Sequence, residues 1–358
     1  AENQTEVGSV TASDADGDSI SYSVSGTDLS INSEGVLTFS TAPDYEAITT
    51  FTATITATDG TFSDTQNITV NVTNIDDVAP VITSSASFSA AENQTAVGTV
   101  TATDVDSSSI SFSFAGEGLS MSTSGVLTFS TAPDFETQSS YSGTVTATDG
   151  INSSTQSITV TVTNVNEAPV FTSGTLYDAD ENQSAIGDVV ATDVDSSSLT
   201  YSVSGSELSM TAGGVLTFVA EPDYETKTSY TATVTVTDGG LSASQPITVT
   251  INNLNDNSPV FTSSTSFSSD ENQTAIATLA ATDADGDSPT FSVSGSELTV
   301  TSGGVLTFAS APDYETKTSY TATVTANDGA NSTTQDITIN VNNLNDNDPV
   351  FSTGATFS

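Results

Sequence analysis

The chain has 358 residues and sets 45 Asp plus Glu against 2 Lys plus Arg, a formal net charge of −43, although only 13% of its residues are charged. Such a balance disfavours nucleic acid and anionic membrane as partners. With no Cys and no His, thiolate or imidazole zinc sites, Cys nucleophiles and Ser-His-Asp triads are excluded, and no enzymatic activity is expected.

Read from the start, the first element is a Glu-Asn-Gln tripeptide at Glu2, followed by an acidic Asp14 to Asp18 segment and a strand pattern at Ile20 to Gly26. Pro-Asp-Tyr-Glu then sets Asp44. Apolar Phe51, Ala53, Ile55 and Ala57 alternate with Thr52, Thr54, Thr56 and Thr58, the period of a half-buried strand. Thr-Asp-Gly follows at Asp59. A second alternation places Ile68, Val70 and Val72 against Thr69, Asn71 and Thr73, and an Asn/Asp linker ends at Pro80. Gly125 to Phe129 reads as another strand. Turn residues punctuate these runs at intervals of about 8 to 12 residues, as a β-sandwich requires. No segment carries a sustained helical stripe, so almost no helix is expected.

Every element recurs. Glu-Asn-Gln begins at Glu2, Glu92, Glu181 and Glu271, and Pro-Asp-Tyr/Phe-Glu sets Asp44, Asp134, Asp223 and Asp313; both series step by 90, 89 and 90 residues. Thr/Asn-Asp-Gly falls at Asp59, Asp149, Asp238 and Asp328, and linkers end at Pro80, Pro169, Pro259 and Pro349. That period is too long for common solenoids and suits a small β-domain with its own core. Cutting at each Pro-Val-Phe/Ile gives repeats over 1–78, 79–168, 169–258 and 259–348, with 349–358 as the leading strand of a fifth. The first repeat then lacks its leading strand and should show an edge or a reduced core. No apolar run is long enough to span a membrane, and no leader opens the sequence, so any anchor or signal is expected to have been removed or to lie outside this stretch.

The ordered set Glu-Asn-Gln, Asp-x-Asp, Pro-Asp-Tyr-Glu, Thr-Asp-Gly and Asn-Leu-Asn-Asp-Asn-x-Pro-Val-Phe resembles the cadherin repeat, four times over. More narrowly, the Ser/Thr-rich, Lys-poor copies resemble the cadherin-like arrays of large bacterial surface adhesins. The resemblance implies an all-β fold of tandem seven-stranded Greek-key sandwiches set end to end in a rod, with calcium at each junction. It implies extracellular adhesion at a cell surface, with like repeats on another molecule or a cell-surface ligand as partner. The ligands it assigns to the first junction are Glu2, Asp44, Glu46, Asp76, Asp77, Asp104, Asp106 and Asp149. To the second it assigns Glu92, Asp134, Glu136, Asn166, Glu167, Asp193, Asp195 and Asp238. To the third it assigns Glu181, Asp223, Glu225, Asn255, Asp256, Asn257, Asp283, Asp285 and Asp328.

Unit charges about 5 Å apart repel by roughly 3 kcal/mol at an effective dielectric of about 20. Carboxylates that converge therefore need cations. Calcium accepts six to eight oxygens at flexible geometry, whereas magnesium prefers a tighter octahedron. Taken singly, Asp14 to Asp18 reads as an Asp-Gly turn, Thr-Asp-Gly as a hairpin turn and Pro-Asp-Tyr-Glu as a Pro-initiated turn. Their joint recurrence favours calcium. Glu-Asn-Gln-Thr/Ser also fits a glycosylation acceptor, but a ligand Glu and a tight turn explain it without glycan. The recurrent Tyr and Phe read as core.

The chain departs from the family pattern in three ways. The linker Asn164 to Pro169 is one residue shorter than the others and carries Glu167-Ala168. Asp16 is followed by Gly17-Asp18, whereas Asp106 is followed by Ser107-Ser108. With no Trp, strand exchange by Trp insertion is excluded. A passive spacer for a distal domain and an accessory module of a polysaccharide-degrading enzyme are the competing readings. The last is weakest, because the same acids recur in every repeat.

Overall fold

A computed structural model describes residues 1–351 apart from Ser108, together with Gly354. Among these residues all regular structure is β-strand. The chain divides into two compact units, Ala1–Val165 and Asn166–Ser358.

In the second unit, the stretch that opens with Val170 runs through Val170–Phe171, Leu176–Asp180, Ala185–Asp188, Ala191–Thr192, Thr200–Val203, Leu208–Met210, Val215–Phe218, Ser229–Thr237 and Ser242–Asn252. These are the seven strands of the sandwich with the first two each broken in two. Leu176–Asp180 lies parallel to Ser242–Asn252, which runs antiparallel to Ser229–Thr237, and that strand pairs with Thr200–Val203. The facing sheet is Ala185–Asp188, Val215–Phe218 and Leu208–Met210. Val170–Phe171 pairs instead with Ala191–Thr192, so the leading strand crosses from one sheet to the other. The parallel pairing has a functional result: it carries the Glu-Asn-Gln motif to the end of the last strand, where the linker begins. The stretch from Val260 to Asn342 repeats the scheme.

The alternation sorts the side chains. Leu216, Val234, Val236 and Val249 are fully buried, each contributing about 1.5 to 3 kcal/mol by burial, while the intervening Thr and Ser face outward. Phe218 meets Tyr230 edge-on at 5.1 Å. The Gly that opens each Gly-Val-Leu-Thr-Phe strand is obligatory. At Gly214 φ is +93°, and a Cβ would stand 2.4 Å from the Val189 carbonyl oxygen.

In the first unit, Val81 to Thr163 follows the same plan. Ahead of it, Ser21–Val24, Thr50–Thr58 and Ser63–Asn71 form a sheet of three strands where the later stretches have four. Among the described residues, no leading strand lies beside Ser63–Asn71. Ile68 and Val70 are consequently half-exposed, whereas their equivalents Ile247 and Val249 are 2% and 0% exposed. A groove of about 450 Å³ lined by Val10, Ile20, Tyr22 and Ile55 opens there. The leading strand expected over 349–358 falls largely outside the described residues. Val350 and Phe351 are exposed. No helix of the described residues is long and apolar enough to cross a membrane.

Candidate metal centre

Each Glu-Asn-Gln glutamate is buried, and each is a clamp. In the third repeat Glu181 Oε2 accepts the Tyr224 N–H at 2.7 Å and Oε1 accepts the Leu254 N–H at 2.7 Å, tying the Pro-Asp-Tyr-Glu loop to the linker. Glu2, Glu92 and Glu271 repeat both bonds. The Asn that follows adopts a left-handed backbone, with φ from 60° to 62° in the four copies. That conformation suits Asn. It lets the Asn182 N–H reach the Pro222 carbonyl at 3.0 Å and its Nδ2 reach Asp256. Asn3 contacts Asp77 in the same way.

The Asp-x-Asp and Thr-Asp-Gly aspartates divide the labour of their two oxygens. Asp104 Oδ1 accepts the N–H groups of Asp106 and Ser107 at 2.8 and 2.9 Å. Asp149 Oδ1 accepts those of Ile151 and Asn152 at 2.6 and 2.7 Å. The turn readings of these motifs are thus correct for one oxygen of each residue. The other oxygen, Asp104 Oδ2 and Asp149 Oδ2, is buried without a hydrogen-bond partner, and so is Asp106 Oδ1.

Around the first junction, oxygens of Glu2, Glu46 and Asp77 lie within 4.8 Å of one another. Asp106 Oδ2 accepts the linker N–H groups of Asp77 and Val78 at 3.3 and 2.7 Å. Asn152 Nδ2 donates to the Asp76 carbonyl at 3.2 Å. Asp44 uses Oδ1 to hold the N–H of Glu46 at 3.0 Å. The third junction matches it. Oxygens of Glu181, Asp223 and Glu225 converge within 4.8 Å, as do those of Glu225, Asp256 and Asp285. Asp285 Oδ2 accepts the N–H groups of Asp256 and Asn257 at 3.0 and 2.8 Å, and Asn331 Nδ2 donates to the Asn255 carbonyl at 3.3 Å. Asp283 Oδ2 and Asp328 Oδ2 are buried and unpartnered.

The residues expected at the second junction fall in both units. In the first unit, oxygens of Glu92, Asp134 and Glu136 converge within 4.8 Å. In the second, the Glu167 N–H donates to Asp195 Oδ2 at 2.7 Å, Asn166 Nδ2 donates to Asp238 Oδ2 at 2.8 Å, and Asp193 Oδ2 is buried without a partner.

Asn152 and Asn331 escaped the sequence reading. They stand three residues after Asp149 and Asp328, but Leu241 occupies that place after Asp238, so no recurrent signal marks them.

Crowded acids titrate abnormally. A hydrogen bond with Asp106, then loss of solvent and the nearby negative charges of Asp106 and Glu2, push Glu46 up to about 7, and the same bond holds Asp106 low. Loss of solvent and the charge of Asp149 raise Asp76. Glu225 is raised by loss of solvent and then by Glu181, Asp285 and Asp223. Asp285 is lowered, chiefly by the Asn257 amide, and Asp238 chiefly by the Asn166 amide. A set of converging hard oxygens, some buried and unpartnered, in a chain without Cys or His, fits calcium.

A family model described as a bacterial Ig domain matches residues 166–251 and 255–341. Human cadherin EGF LAG seven-pass G-type receptor 1 is 32% identical over 260 residues, which cover 64% of this chain and 9% of that receptor. Human protocadherin Fat 1 is 36% identical over 161 residues, 39% of this chain and 4% of that protein. The chain therefore spans less than a tenth of the length of these curated relatives. Among solved structures, the protocadherin gamma B4 extracellular domain aligns with a TM-score of 0.66 at 27% identity, over 89% of this chain and 60% of that one. Extracellular cadherin domains 1–5 of protocadherin gamma B2 align with a TM-score of 0.62 at 25% identity, over 97% of this chain and 78% of that one. The chain is a tandem array of β-sandwich repeats similar to those of cadherin extracellular domains.

Proposed function

We propose that this chain is a calcium-binding segment of an extracellular adhesion protein, with repeats over 1–78, 79–168, 169–258 and 259–348 and calcium stiffening the junctions between them. The observation that carries the reading is the row of buried carboxylate oxygens without partners, Asp104 Oδ2, Asp106 Oδ1 and Asp149 Oδ2, with Asp283 Oδ2 and Asp328 Oδ2 repeating it. A buried anionic oxygen is costly unless a donor or a cation meets it. The acids named for each junction would hold the ion. Calcium would supply the positive charge that lets them converge. The protein's own part is to fix each carboxylate with linker and turn N–H groups, so that one oxygen of each is held ready.

Adhesion is supported by resemblance to cadherin and protocadherin extracellular domains, with like repeats on another molecule or a cell-surface ligand as partner. The bacterial description of the matching family model supports a bacterial cell surface. Isothermal titration of the decalcified chain tests the metal reading: calcium should bind in the range of about 0.1 to 1 mM that extracellular modules show, and magnesium weakly. No calcium heat in that range would refute it. Bead aggregation in calcium and in chelator tests adhesion, and absence of clustering in both would favour a spacer.

A further inference from the structure

The first and third junctions share a backbone and differ in the side chains set upon it. The Val78 N–H reaches Asp106 Oδ2 at 2.7 Å, and the Asn257 N–H reaches Asp285 Oδ2 at 2.8 Å. Beyond that point they part. Asn257 Nδ2 stands 2.9 Å from Asp285 Oδ1, 2.9 Å from Asp256 Oδ1 and 3.2 Å from Glu225 Oε2. Its two N–H groups therefore lie among three carboxylates. Val78 offers no donor there, and Asp106 Oδ1, the counterpart of Asp285 Oδ1, is buried without a partner. The first junction also carries Asp76 where the third has the neutral Asn255.

We propose that the Asn257 amide is a built-in stand-in for a cation, holding the third linker in place when metal is withdrawn, whereas the first linker depends on the bound ion. Hydrogen bonds from an amide to carboxylates are strong and offset the repulsion of the cluster. With Val78 and the added Asp76, the first junction has no amide in that place and is left with the hydrogen bond between Glu46 and Asp106. Falling calcium would then free the linker over 76–79 before the linker over 255–258. The ordering rests on the calcium reading above, but the behaviour without metal does not.

Hydrogen–deuterium exchange on the full chain separates the two claims. In excess chelator, after correction for intrinsic rates, the Asp77 and Val78 amides should exchange about tenfold faster than those of Asp256 and Asn257. Val78→Asn should slow the first pair to the rate of the third junction, and Asn257→Val should accelerate the third. In calcium all four should be protected alike. Equal exchange at both linkers in chelator, or no response to either substitution, would overturn the proposal. Exchange that ignores calcium at both linkers would overturn the metal reading and with it the ordering, while the chelator comparison alone decides the role of Asn257.

Discussion

Glu181 is a carboxylate that the fold cannot spare even without metal, because it accepts the Tyr224 and Leu254 N–H groups while only 2% exposed. Glu181→Gln keeps the shape but turns one acceptor into a donor facing an N–H. Chemical denaturation in chelator should register a loss of about 2 to 3 kcal/mol, and a larger loss in calcium, since Glu181 is also among the acids assigned to the ion. Asp285→Ala behaves differently: it should weaken calcium binding at the third junction while circular dichroism stays unchanged. The linker will loosen somewhat as well, since Asp285 also holds the Asp256 and Asn257 N–H groups. Glu46 supplies a pH test. Its folded value is about 7 against an ordinary 4.5, so the folded protein keeps a proton that the unfolded chain has released. In chelator that contribution to stability is full below about 4.5 and is lost as pH rises through 7. On the proposed reading calcium would displace the same proton. Titrations near pH 7 in buffers of different ionisation enthalpy should therefore report proton release, and Glu46→Gln should reduce it.

At the scale of elements, the strand that begins at Gly214 shows what could be read in advance and what could not. Its alternation, and that of Phe51 to Thr58, announces a strand with one wet face, because the period of two survives in any context. The reason for the Gly does not. It lies in the Val189 carbonyl, 2.4 Å from where a Cβ would sit, a neighbour that only the folded sheet provides. Gly214→Ala should cost at least about 2 kcal/mol, measured as a shift in the denaturation midpoint of the second unit. The clamp of Glu181 was equally hidden. Its partners lie 43 and 73 residues away, joined to it by the parallel pairing of Leu176–Asp180 with Ser242–Asn252. Position in a motif suggested a ligand, and the structure adds two backbone bonds. Likewise the Asp residues of the turns were legible as turn formers or as ligands, but that one oxygen of each is taken by the turn while the other is left buried without a partner appears only in three dimensions.

For the whole molecule, an excess of 43 negative charges is tolerable on a dispersed surface and costly where the motifs gather it. On the proposed reading calcium would offset that cost, so that folding and binding would be linked. Thermal unfolding of the full chain in about 2 mM calcium and in excess chelator tests this most directly. At about 2 mM calcium a site with a dissociation constant of about 0.1 to 1 mM adds about 0.6 to 1.8 kcal/mol, so calcium should raise the melting temperature by roughly 1 to 7 °C for each site. Superimposable melting curves in calcium and chelator would contradict it.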